Sequence, residues 1–248
     1  MSISRFLISI ALVAMMTPMM VSAKERIIDT TQRKQPLKFW GAQFEELEYR
    51  YRKSDERLGV WDADFFYGTD EWKVRLLSNG EYAFESDAYE KLENQLVGQV
   101  PISTFFDAKA GLRFDNPEGH DRVYAVFGLA GLAPQWFEID TNFYISEDGK
   151  TSVDLDAEYE LLLTNYWIVT ASLDTTVAFN EDKEIGVGKG LVSTELGLRL
   201  SYDLIDRSFS PYIGVVHERS YGDTADLLKS SGDDNGGWFA VVGARVFF

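Results

Sequence analysis

Between Gly237 and Phe248 the apolar residues Trp238, Ala240, Val242, Ala244, Val246 and Phe248 occupy every second position, and the sequence stops on the last of them. A period of two places all six on one face of an extended strand. Chain termini ordinarily fray in water. A closing strand that ends on two consecutive phenylalanines is therefore expected to lie against an apolar surround.

The same period recurs from Trp40 onward in segments of roughly ten residues separated by turn-forming residues. Phe137, Ile139, Thr141, Phe143 and Ile145 alternate with Glu138, Asp140, Asn142 and Tyr144, before a Glu147-Asp148-Gly149-Lys150 turn. Val153, Leu155, Ala157, Tyr159 and Leu161 then alternate with Asp154, Asp156, Glu158 and Glu160. Twelve strands are expected, near 40–53, 58–68, 71–79, 91–100, 105–115, 122–132, 136–146, 151–162, 167–179, 191–204, 211–221 and 237–248, with ten as the alternative count. Connections alternate between short turns (133–135, 163–165) and longer polar stretches (116–121, 180–190, 222–236). An even strand number puts both ends of the sheet on one side.

Two all-β architectures fit this pattern, a soluble sandwich or barrel with its apolar face inward and a membrane barrel with that face outward. Residues 1–23 read as a secretory signal peptide, with Arg5, the apolar stretch Phe6–Met16 and a Val21-Ser22-Ala23 cleavage site. Thr17, Pro18 and Ser22 interrupt the run before it reaches the roughly 20 apolar residues of a membrane-spanning helix. Trp40, Trp61, Trp72, Trp136, Trp167 and Trp238 fall near strand ends, where two interfacial girdles require them. Gly243, Val246 and Phe248 are spaced like the C-terminal sorting signal of outer-membrane barrels. The expected fold is an all-β, antiparallel, up-and-down transmembrane β-barrel over 40–248, preceded by a short flexible periplasmic arm at 24–39, in the outer membrane of a Gram-negative cell.

The formal net charge is −16, and it becomes one unit more negative when Arg5 leaves with the signal peptide. Nucleic acid and anionic headgroups are poor partners for such a chain, and cations are better ones. Cysteine is absent, which excludes disulfides and thiolate metal sites.

Five blocks carry a family resemblance: Phe127–Glu138, Asp156–Thr164, Glu195–Leu200, Pro211–Val215 and Gly222–Asp226. In this order they resemble the copper resistance protein B family of outer-membrane proteins, and the likeness runs from about Trp40 to the end. It implies a barrel that contributes to copper tolerance by binding copper ions or letting them cross, with outer-membrane lipid, copper ions and a periplasmic copper oxidase or carrier as partners. Members commonly carry a Met- and His-rich extension before the barrel, which suits Cu(I) and Cu(II). Here Met1, Met15, Met16, Met19 and Met20 all lie in the signal peptide, leaving two histidines and neither Met nor Cys in the exported chain.

Metal ligands are accordingly sought among nitrogen and oxygen donors. His120 stands beside Asp121 and Glu118 in a surface loop, and His217 precedes Glu218 on a strand. The alternation puts His217 toward lipid and Glu218 toward the lumen, unless a bulge reverses them. Glu46, Glu48, Asp62, Asp64, Asp107, Glu138, Asp140, Asp154, Asp156, Glu158, Glu160, Asp174, Glu195 and Glu218 are expected to line the interior, against Arg50, Lys73, Arg75, Lys109, Arg113, Arg199 and Arg245. Many of these must pair and fill a small barrel. The surplus is negative and favours cations. The expected function is weak copper ion binding or passage through an acidic lumen. One alternative is a scaffold that docks a periplasmic copper protein through residues 24–38. The other is an outer-membrane hydrolase, for which His120 and His217 are the available bases, without a Gly-x-Ser-x-Gly or His-Glu-x-x-His motif.

Overall fold

The computed structural model describes residues 36–52, 56–117, 121–205, 207–232 and 234–248. The signal peptide, and the arm apart from its last four residues, lie outside them, as does His120.

Twelve antiparallel strands are present: β1 (Phe39–Tyr51), β2 (Arg57–Gly68), β3 (Lys73–Ala83), β4 (Ala88–Pro101), β5 (Phe106–Asp115), β6 (Arg122–Ala133), β7 (Phe137–Ser146), β8 (Thr151–Leu162), β9 (Trp167–Ala178), β10 (Gly190–Tyr202), β11 (Phe209–Ser220) and β12 (Gly236–Phe247). Each pairs with its neighbours in sequence, and β12 returns to β1 to close the barrel. Closure leaves no row of unpaired backbone groups along the wall. At the seam Phe248 N donates to Ala42 O at 2.9 Å and Ala42 N donates to Phe248 O at 3.3 Å.

The alternation decides the faces. Val74, Leu76, Leu96, Leu112, Phe127, Leu198, Ile213 and Val242 project outward and are 42–63% exposed, a continuous apolar surface of the kind that marks contact with lipid or protein. Two aromatic belts bound it. At the end that carries Phe39 and Phe248, Tyr67 meets Trp72, Phe137 meets Tyr159 and Trp167 meets Tyr202, with ring centroids 6.1, 4.9 and 4.9 Å apart. At the opposite end Tyr49 meets Phe84, Tyr82 meets Tyr89 and Trp61 meets Tyr89 at 5.9, 5.1 and 6.0 Å.

The loops of that opposite end carry a short helix, α1 (Gly222–Ser231), within the stretch expected as a polar loop. Gly232 ends it in a left-handed conformation, φ 92°, which glycine adopts without steric cost. The helix rests on the β9–β10 loop, where Gly188 N donates to Thr224 Oγ1 at 2.9 Å. Arg122 Nη2 joins the same loop to the barrel through Asp182 Oδ1 at 3.2 Å and Glu184 Oε2 at 2.5 Å.

Not every inward position is polar. Leu58, Val60, Ala83, Val216, Phe239 and Val241 form a small apolar core against one side of the wall. Val97, Val126 and Tyr144 form a second, joined by Leu77 and Tyr124. These fillings narrow the lumen and confine its polar part.

Candidate functional site

Two cavities, of about 750 Å³ and 1310 Å³, lie in the polar lumen. They meet at Glu81, Lys91, Glu93, Asp154, Asp174, Thr176 and Glu195, which line both. Five of those seven side chains are carboxylates.

Most lumenal bases are engaged. Arg50 Nε donates to Glu48 Oε2 at 2.8 Å, and its Nη atoms reach Glu218 at 2.7 Å, Glu195 at 2.9 Å and Glu46 at 3.2 Å. Arg199 reaches Glu48 Oε1 and Glu46 Oε1, each at 2.5 Å. Two guanidiniums thus bind four carboxylates on β1, β10 and β11, and the Glu48 side chain is fully buried between them. Arg113 holds Glu93 at 2.5 Å and Asp115 at 2.7 Å, with its guanidinium 4.6 Å from the Tyr144 ring centroid. Lys109 holds Asp140, Arg75 holds Asp64, and Arg245 holds Glu158 and Glu160 at 2.7 Å each.

Strand register arranges the acids further. Asp140 on β7 lies opposite Asp156 on β8, Asp156 opposite Asp174 on β9, Asp174 opposite Glu195 on β10, and Glu195 opposite Glu218 on β11. This row of directly opposed carboxylates runs across five adjacent strands. Like charges placed opposite one another destabilise a sheet. Arg50 neutralises one end of the row and Lys109 the other. No ion pair joins Asp156 or Asp174, in the middle, to a basic side chain among the described residues.

The lumen gathers the predicted acids Glu138, Asp140, Asp154, Asp156, Glu158 and Glu195 around the smaller cavity, and Glu160 sits at Arg245. The predicted His217–Glu218 pair is not brought together. His217 packs against Trp238 on the outer face, ring centroids 4.7 Å apart, while Glu218 turns inward to Arg50. Asp121 is exposed in the β5–β6 loop. Gly243 lies opposite Glu48, and Val246 opposite Phe44, in the β1–β12 seam.

Alternation missed Glu45. The register of β1 slips between Phe44 and Glu46, and such a bulge re-aims a side chain, so Glu45 lines the cavity beside Glu46. Glu81, Lys91 and Glu93 were also missing from the expected lining. Their signal is the inward set Lys91, Glu93, Gln95 and Gln99 on β4. Among the described residues no three His, Cys, Asp or Glu side chains converge closely enough to hold a metal ion directly, and His217 is the only histidine.

Residues 38–248 match the family profile described as Copper resistance protein B precursor (CopB). Over 204 residues, 82% of this chain and 68% of the relative, the sequence is 34% identical to Copper resistance protein B of Escherichia coli. Over the same shares it is 33% identical to the Copper resistance protein B homolog of Pseudomonas syringae pv. tomato (strain ATCC BAA-871 / DC3000). Among solved structures, the NanC porin superposes with a TM-score of 0.54 at 12% identity, covering 85% of this chain and 100% of that one. At that identity the likeness is one of fold.

Proposed function

Because the chain belongs to the copper resistance protein B family, we propose that it contributes to copper tolerance as an outer-membrane barrel whose acidic lumen draws in Cu²⁺ and lets it pass with low affinity. The apolar outer face and its two aromatic belts support a lipid surround. In this orientation the end bearing Phe39 and Phe248 faces the periplasm, and α1 faces the outside.

The observation that carries the reading is the row Asp140, Asp156, Asp174, Glu195 and Glu218 along the cavity wall. Carboxylates behind a low-dielectric wall concentrate cations and repel anions. Conduction also requires that the ion leave, so a lumen in which the described residues supply no thiolate, thioether or imidazole ligand suits passage better than storage. Oxygen donors favour Cu(II) over Cu(I) as the form admitted. The role is one of attraction and transfer, with no bond made or broken by the barrel.

The test is made on the unaltered barrel. Reversal potentials in planar bilayers under a KCl gradient are expected to show cation preference, and vesicles holding a Cu²⁺-quenched dye are expected to lose fluorescence only when the barrel is inserted. A non-selective or anion-preferring barrel, or one impermeable to Cu²⁺, refutes the reading.

A further inference from the structure

Among the described residues that line both cavities, Lys91 is the only base. It belongs to the inward set of β4 and lies directly opposite Glu81 on β3. In a closed wall of twelve strands β4 faces β9 and β10 across the lumen, and those far strands supply Asp174 and Glu195. The junction of the cavities thus has an ammonium on one wall and carboxylates on the other.

Lys91 is also held more loosely than the bases that brace the wall. Arg50, Arg75, Lys109, Arg113, Arg199 and Arg245 each hold a carboxylate at 2.7 Å or less, with side chains 1–19% exposed. The Lys91 side chain is 40% exposed, and its Nζ lies 3.9 Å from Glu93 Oε2. Arg113 already holds Glu93 at 2.5 Å, and Arg50 holds Glu195 at 2.9 Å. Lysine is a compact, hydrated point charge on a flexible four-carbon stem. One that no carboxylate clamps presents its charge to whatever crosses the junction.

We infer that Lys91 is the residue that sets the ion preference of the lumen, a tethered cation that keeps the acids at the junction from retaining the multivalent cations they attract. The inference rests on the passage reading and adds to it the side chain that governs release. Coulomb energy scales with the product of the charges, so Lys91 opposes a divalent cation twice as strongly as a monovalent one and favours an anion. Conduction needs attraction strong enough to admit an ion and weak enough to let it go. The carboxylates supply the first and the ammonium tempers it to give the second. Across about 10 Å of water a unit charge changes the occupancy of a monovalent ion about twofold and that of a divalent ion about fourfold.

The experiment is a set of planar-bilayer recordings on the full-length exported barrel, with permeability ratios taken from reversal potentials. Lys91→Met is expected to raise the K⁺/Cl⁻ ratio about fourfold and the Mn²⁺/K⁺ ratio about twofold. Lys183→Met removes the same charge from the β9–β10 loop, where the side chain is 71% exposed, and is expected to leave both ratios at the parental values. The chain has no cysteine, so Lys91→Cys carries a single thiol. This variant is expected to behave like Lys91→Met. Alkylation with 2-bromoethylamine then puts an ammonium back on the same folded barrel and is expected to restore the parental ratios. Unshifted ratios in Lys91→Met, an equal shift in Lys183→Met, or a failure of alkylation to reverse the change overturns the inference. With a cation-selective parent those failures leave the passage reading standing, whereas a non-selective or anion-preferring parent refutes both.

Discussion

Replacing Arg50 by Met should destabilise the barrel more than any comparable change on its outer face. Arg50 is 2% exposed, and Glu48, which it touches at 2.8 Å, has a side chain with no solvent exposure. Removing one partner of a buried ion pair leaves an uncompensated charge at a cost of about 3–5 kcal/mol. Arg199 still faces Glu48 at 2.5 Å and keeps the cost from rising further. Glu46, Glu195 and Glu218, with side chains 20–29% exposed, add little individually, since solvated pairs contribute about 0–1 kcal/mol each. The expected loss is thus about 3–5 kcal/mol, read from urea unfolding in lipid vesicles by tryptophan fluorescence. Glu48→Gln alone should also destabilise, but in the Arg50→Met background it should recover part of the loss, a coupling of roughly 0.5–3 kcal/mol. A single-variant loss below about 1 kcal/mol, the value for a solvated pair, would refute the claim that this cluster is a desolvated strut. Additive effects in the double variant would refute it equally.

Other expectations are simpler to check. Phe248→Ala should fold in detergent yet insert poorly in cells, if Gly243, Val246 and Phe248 act as a sorting signal; normal insertion measured by surface protease accessibility removes that role. His217→Ala should leave ion selectivity at the parental value, because the imidazole stacks on Trp238 outside the lumen; an altered reversal potential would place it inside. In the β3–β4 turn, Glu85 accepts hydrogen bonds from Arg57 N at 3.0 Å and Arg57 Nε at 2.6 Å, which hold its pKa below 4.5. This lowered value means the contact is intact above pH 4.5 and is lost as pH falls through the folded-state pKa. The Arg57 amide shift in NMR should therefore titrate with a midpoint below 4.5, and a midpoint at or above it contradicts the contact.

The strands and their outward faces were legible because lipid-facing positions must be apolar at every second residue, and the β7–β8 hairpin was readable nearly to the residue. The β3–β4 hairpin was not. Asn79-Gly80 is ordinarily a turn dipeptide, and strand 71–79 was expected to stop there, yet β3 runs on to Ala83. Gly80 serves instead as the floor beneath the Trp61 ring, where any Cβ would collide with the indole. The turn falls four residues later, at 84–87, with Asp87 in the left-handed region at φ 57°. Glu81 was hidden by the same error. Glu45 was hidden by a bulge that no periodicity announces. The opposed row of acids depends on register between strands, which the sequence of any one strand does not contain. The inward apolar residues Phe239 and Val241 escaped for a related reason: β12 carries apolar residues on both faces, so its alternation marks the outer set without marking these two as core.

The seam between Ala42 and Phe248 separates two things that usually travel together, the order in which strands are made and the order in which they pair. Since both edges of the wall meet at one rim, a short linker could join the β12 end to the β1 start, and the chain could be reopened in the Asp148-Gly149 turn between β7 and β8. Apart from the turn that was cut, such a circular permutant would retain the ladders, ion pairs and cavities described above. Its last strand would be β7, and Phe248 would lie in mid-chain. Comparing its folding in detergent with its insertion in cells would therefore divide what the closed wall requires from what the cell's assembly machinery reads.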